Sequence, residues 1–479
     1  MNWELVVRNQ GPVFSRPIWG KEKFFYAAAR NQRGLTNFTV QATVKVTDNR
    51  LADPKEFEDR LRYALTSTVG MYPLLLSSAE PVSNGGQIAC KIPSSWDEAD
   101  AIIAARLKRF DSVSEYSVDV FLETVLTREA ARLAAPHIFY APLDGAGEAP
   151  TYTIAIASPH CIMDARGAMM ILQSILKVMS EGADEGSRPR WNPGTVDYLD
   201  LLPPPLELVK EVSAISDESV DRCLRKWRQD TSKMNHILPP KTRSPSGEGV
   251  TRRVLYSFSQ EESARLFRKH KSLGVTNNTV LQASLWLATV MLAPPRDEDY
   301  SSSHCVSLLA VDSRDLLSAK WSNTYSGLCL CDASVSCPLE MAAGSDRNSA
   351  LLQMMRKITA DMKFWRDSGA LVDVVNTTAE GAATWSGVAA QKGIGLCNAF
   401  TSNLGIVDSV ISRFHGSALE VLDVSASGRI TEPQYFTRAW TFNGKYNIQV
   451  NYNDHYYDRT TIDAFLRTVV EVLRSTLDL

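Results

Sequence analysis

The stretch TYTIAIASPHCIMDARGAMMILQSILKVM, residues 151 to 179, constrains what this chain can fold into more than any other. Its first eight residues alternate Thr with apolar side chains as a buried strand does, and the run from Ala168 reads as a helix. Between them stands His160, with Asp164 four positions on. A titratable imidazole at a strand-to-helix turn is either a base aimed into a cleft or a core histidine held by a carboxylate, and the local pattern leaves both readings open.

The same order of elements occurs in both halves. FTVQATVKV alternates as a strand before a helix over 53 to 70, where Asp53 is the N-cap, Pro54 the first helical residue, Glu56 the partner in a capping box and Gly70 the stop. After residue 250, RVLYSF reads as a strand, Ser259 and Glu262 as a capping box, and NNTVLQASLWLATVML as a buried helix. CVSLLAVDSR and TFNGKYNIQVNYN are strand-like, and a last helix from about Thr461 carries Ile462, Phe465, Leu466, Val469 and Leu473 on one face. Two stretches rich in Pro, Gly and charge, 181 to 194 and 238 to 249, read as loops. The expectation is a mixed α+β (α/β) protein of two similar lobes: an N-terminal lobe over 1–190, an inter-lobe crossover over 191–250 and a C-terminal lobe over 251–479.

Composition narrows the function. In 479 residues, Lys+Arg 51 against Asp+Glu 54 gives a net charge of −3, and short basic clusters such as RLKRF and FRKHK read as solvated helix faces, so no nucleic-acid partner is expected. The start of the chain lacks a cationic segment followed by an apolar run, and no stretch reaches the ~20 apolar residues of a membrane span, which predicts a cytoplasmic protein. Eight cysteines without C-x-x-C pairs are expected to be reduced thiols, Cys329 and Cys331 in CLCDASVSC being buried strand residues rather than metal ligands. The remaining six histidines have no partner at metal-ligand spacing, so no metal site is expected.

VDSRDLL at 311 to 317, TSNLG at 401 to 405 and NGKYNIQVNYN at 443 to 453 follow the single H-x-x-x-D pattern, and with it they resemble the H-x-x-x-D acyltransferase superfamily. That superfamily holds chloramphenicol acetyltransferase, plant BAHD acyltransferases, carnitine acyltransferases and condensation domains. Within it the chain is most similar to fungal trichothecene-type O-acetyltransferases. The resemblance implies two chloramphenicol acetyltransferase-like lobes with mixed sheets, an active-site tunnel between them and a cytoplasmic monomer of secondary metabolism. It also implies transfer of an acyl group, most often acetyl, from acyl-CoA as co-substrate to a hydroxyl of a small metabolite, without a permanently bound cofactor. On that reading His160 is the general base, Asp164 pairs with Arg314 to hold the histidine turn, and Ser402 and Asn403 face the histidine as oxyanion or substrate donors. Their bland alternative is local hydrogen bonding within a loop or strand end.

Three features depart from relatives. The D-F-G-W-G motif of the plant branch is absent, Pro159 stands where condensation domains carry a second histidine, and Ala165 follows the aspartate, with glycine delayed to Gly167. No phosphate-binding glycine loop is present, and Arg252 and Arg253 are the loose candidates for coenzyme A phosphates. Met163, Met169 and Met170 either line a pocket or fill core. The same fold could instead run a cyclisation or pericyclic step, or take its acyl group from a carrier protein as condensation domains do.

Overall fold

The computed structural model of the protein describes residues 3–8, 11–83, 85–110, 117–143, 149–182, 200–210, 215–242, 248–296, 300, 302–342, 346–392 and 399–479. Most of the loop expected over 181 to 194, much of the crossover and Cys397 lie outside the described residues.

The strand Phe38–Val46 is buried along nearly its whole length, and Thr151–Ser158 beside it is buried at every position after the first. Their Thr–apolar alternation therefore serves two covered faces instead of one wet and one dry face. They form the middle of a six-stranded sheet that runs Phe414–His415, Leu419–Gly428, Phe38–Val46, Thr151–Ser158, His137–Leu143, Leu107–Arg109. Only the last pair is parallel. Residues 414–428, which a division at 250 assigns to the C-terminal lobe, thus complete the sheet of the first.

A seven-stranded sheet holds the second half, in the order Thr251–Ser257, Lys445–Asn453, Tyr435–Phe442, Ala399–Ile406, Ser303–Asp312, Leu330–Pro338, with Met234–Asn235 alongside Ser303–Asp312. It is mixed: Ala399–Ile406 runs parallel to both neighbours, and the two edges are antiparallel. TFNGKYNIQVNYN is not one strand, because Asn443 and Gly444 take φ of +50° and +69° and turn a hairpin between Tyr435–Phe442 and Lys445–Asn453. Asn-Gly supplies the two left-handed residues that such a turn needs.

The helices begin where their caps say. Asp53 accepts from the amides of Lys55 and Glu56 to open Pro54–Val69, although the reciprocal bond expected from Glu56 is not formed. Ser259 and Glu262 do close a full capping box on Gln260–Ser272. Asn277–Leu292 and Arg459–Ser475 cover the second sheet, with Trp286, Phe465 and Leu466 in its core. A four-stranded antiparallel sheet, Glu4–Arg8, Gly11–Pro17, Gly85–Lys91, Ser77–Val82, stands at the side of the first lobe. No helix among the described residues is long and apolar enough to cross a membrane.

Candidate functional site

His160 sits on the wall of a cavity of about 160 Å³ between the two large sheets, lined by Phe38 and Gly428 from the first and by Leu308, Ser402 and Arg438 from the second. Its ring is clamped: Phe25 stacks on it at 4.1 Å and 8°, and Phe38 leans on it at 4.9 Å. Nδ1 is enclosed, with no hydrogen-bond partner on any other described residue. Burial pushes the imidazole down to about 4; Asp164 and the residue's own main chain oppose this, and the Lys21 and Arg438 cations add to it. The group is therefore neutral near pH 7, with a lone pair to offer.

Asp164 is turned elsewhere. Its Oδ1 accepts from the Gly167 amide at 2.8 Å, capping the helix Ala165–Glu181, and Oδ2 accepts from the Cys329 amide at 2.8 Å. Arg314 grips both oxygens, Nη2 to Oδ1 at 2.9 Å and Nη1 to Oδ2 at 3.1 Å. Burial raises this carboxyl, but Arg314 and the two amides outweigh it and hold it below the usual carboxylate range. Arg314 in turn donates to Asp312 at 2.9 Å and to the carbonyls of Tyr325 and Gly327. The pair spans 150 residues of sequence and ties the histidine turn to the second half of the chain.

The departure at Ala165 has a structural account. A Cβ on Gly167 would fall deep inside contact distance of the Ser326 carbonyl oxygen, on the turn whose neighbouring carbonyls hold Arg314. The glycine is needed where the helix lies against that turn. Gly167→Ala is expected to cost about 1–3 kcal/mol of stability through overpacking, read as a lowered midpoint in thermal denaturation. An unchanged midpoint would mean that the 325–327 turn backs away freely.

Ser402 and Asn403 both line the cavity that His160 lines. The Asn403 side-chain oxygen is spent locally, accepting from the Gly405 amide at 2.9 Å in a turn where Gly405 takes φ of +72°. The Ser402 hydroxyl has no partner among the described residues and is free to donate into the cavity. Of the methionines, Met169 lines the cavity and Met163 is core. Arg252 and Arg253 lie on Thr251–Ser257 and are committed to other partners, Arg252 to Glu123 at 2.6 Å and Asp454 at 3.2 Å, Arg253 to Asp119, Ser425 and Gln449. They are not free for a phosphate. Cys329 and Cys331 are buried and their thiols are pushed up, chiefly by that burial.

Phe25, Phe38, Lys21 and Arg438 belong to the site although the sequence reading did not single them out. Arg438 carried a signal, the one charged residue in the strand YFTRAWTF, where Phe436, Trp440 and Phe442 alternate with it.

No family model matches the sequence. Over 362 residues, 68% of this chain and 68% of the other, it is 24% identical to an Epichloe uncinata protein described as loline biosynthesis cluster 1 transcription factor lolU1. Among solved structures it superposes on the TRI3 trichothecene 15-O-acetyltransferase of Fusarium sporotrichioides with a TM-score of 0.84 and 17% identity, covering 99% of this chain and 97% of that one. The first condensation domain of the CDA synthetase matches with a TM-score of 0.65 and 12% identity, over 97% and 96% of the two chains. This chain therefore has the two-lobed, mixed-sheet fold that TRI3 shares with condensation domains.

Proposed function

We propose that the protein transfers an acyl group, most often acetyl, from an acyl-CoA to a hydroxyl of a small metabolite, with His160 as general base. The observation that carries this reading is an imidazole kept neutral on the wall of a cavity between the two large sheets, stacked on Phe25, with its neighbouring carboxylate tied away to Arg314. In the step proposed, Nε2 takes the proton of the acceptor hydroxyl as its oxygen attacks the thioester carbonyl carbon. The tetrahedral oxyanion, met by the Ser402 hydroxyl, collapses with cleavage of the C–S bond, and the leaving thiolate takes the proton back from the imidazolium. The products are an ester and free coenzyme A, so atoms and charge balance without a covalent enzyme intermediate. A positioned base contributes roughly 10²–10⁴-fold and an oxyanion donor about 10²–10³-fold.

The regulatory description belongs to the Epichloe protein. A DNA-binding role rests on phosphate neutralisation by a cationic surface, and a net charge of −3 gives that role no support here.

The test is incubation with acetyl-CoA and a panel of hydroxylated acceptors, following free thiol and product mass together. Thiol release with a mass gain of one acetyl group, lost in His160→Ala, supports the reading; no release with any acyl-CoA from folded protein overturns it. The pH profile is a second check. Because the folded imidazole sits near 4 instead of the ~6.5 of a free one, the base stays deprotonated through the window between, and the acid limb of kcat/KM is expected to fall near pH 4. In that window the unfolded chain binds a proton that the folded one refuses, so this group's effect on stability becomes less favourable as pH drops from 6.5 to 4. An acid limb centred near 6.5 would contradict the buried, neutral imidazole.

A further inference from the structure

The charges around the cavity can be matched one by one, and a single cation is left over among the described residues. Lys21 reaches Asp332 at 2.5 Å, and Arg314 holds Asp164 and Asp312. Arg166 faces Asp312 at 3.6 Å. Arg429 faces Glu248 at 3.5 Å and spends its other nitrogens on the carbonyls of Arg33, Leu126 and Thr127. Arg438 has no carboxylate. Its Nη1 donates to Asn451 Oδ1 at 2.7 Å, its guanidinium lies 4.0 Å over the Phe436 ring, and Nε and Nη2 have no acceptor among the described residues.

Arg438 is nonetheless 7% exposed. Burial alone pushes its guanidinium down to about 9, which leaves it cationic at neutral pH. A buried charge without a counter-ion opposes folding, and a site that keeps one has a use for it. The geometry shows which. Ser402 and Arg438 are register partners on adjacent parallel strands, as are Phe400 and Phe436, whose rings stack at 6.0 Å. Partners in register leave a sheet on the same face, so the arginine enters the cavity beside the proposed oxyanion donor, with an aromatic wall next to it. Gln434 also lines the cavity, and its side-chain oxygen is buried without a hydrogen-bond partner. The free Nε–Nη2 edge is the fork that receives a carboxylate through two parallel hydrogen bonds.

We infer that Arg438 anchors an anion subsite inside the cavity and that the acceptor is a hydroxy acid: a compound with an apolar body against Phe400 and Phe436, a carboxylate on the Arg438 fork and its hydroxyl toward His160. This specifies the acceptor of the proposed acyl transfer and rests on that reading. It also explains why a strand of otherwise apolar inward residues keeps an arginine.

The test measures binding separately from turnover. Aromatic and aliphatic hydroxy acids, each with its methyl ester, are titrated calorimetrically into wild-type protein and into Arg438→Met. The expected result is that the acids bind wild type about tenfold or more tightly than their esters, the gain of a charge-assisted pair over a neutral contact. Arg438→Met is expected to erase that preference while melting no lower than wild type, because it removes an unpaired buried charge. Equal binding of acid and ester, no binding by any member of the panel, an acid preference that survives in Arg438→Met, or a lowered melting temperature would each overturn the subsite. A weaker affinity of Arg438→Met for acetyl-CoA alone would overturn it too, by assigning the arginine to the donor's phosphates. Thiol release separates the two claims. Arginine-dependent binding of acids without release from acetyl-CoA leaves the subsite standing and removes acyl transfer; release with neutral alcohols, equal in both proteins, does the reverse.

Discussion

His160→Ala is expected to lower kcat/KM for acyl transfer by about 10²–10⁴-fold, with KM changed far less than kcat, because the proton acceptor is lost while the cavity walls stay in place. The substitution removes a ring held between Phe25 and Phe38 but leaves no polar partner stranded, since Nδ1 has no hydrogen-bond partner among the described residues. The space left faces a cavity that already exists, so the stability cost is expected to be small beside the catalytic one. Steady-state kinetics together with a thermal melt check both halves of this statement. Turnover close to wild type would remove the base assignment, and a collapsed melt would make the imidazole a packing element.

Arg314→Ala makes the opposite division. The guanidinium that it deletes holds both oxygens of Asp164, one of Asp312 and two main-chain carbonyls, all at a buried junction between the histidine turn and the second half of the chain. Breaking a buried pair from one side strands the other charge, at about 3–5 kcal/mol. Activity is expected to fall along with the denaturation midpoint, because the Asp164 cap positions the turn that carries His160. Arg314→Lys is expected to recover only part of either loss, since an ammonium cannot fork to two oxygens while holding carbonyls behind it. A midpoint equal to wild type in Arg314→Ala would overturn the buried-pair account.

What could be read in advance follows from how far each interaction reaches along the chain. Asp53, Ser259 and Glu262 act within one helical turn, and the helices they open start where their types and spacing indicate. Phe38–Val46 and Thr151–Ser158 follow from local alternation, and their place at the centre of a mixed two-lobed fold matches the resemblance carried by the motifs. The hairpin at Asn443 and Gly444 is legible in principle, as Asn-Gly between two alternating runs, although the alternation alone reads through it as one strand. The rest was not local. Phe25 clamps a histidine 135 positions away in sequence, and whether Arg438 has a counter-ion depends on what every other wall of the cavity presents. The charge census that singles it out exists only after both sheets have assembled.

The strand Leu419–Gly428 gives the molecule a temporal asymmetry. Synthesis runs from the N-terminus, yet Phe38–Val46 cannot gain its second neighbour until residue 428 has been made. Until then the nascent first half carries a long edge of unpaired backbone groups, the kind of surface that pairs with other chains or calls for a chaperone. The same late stretch supplies Gly428 to the cavity, and the strand after it supplies Arg438. Completion of the first sheet and closure of the cavity are therefore one late event, and a chain truncated before residue 419 lacks both.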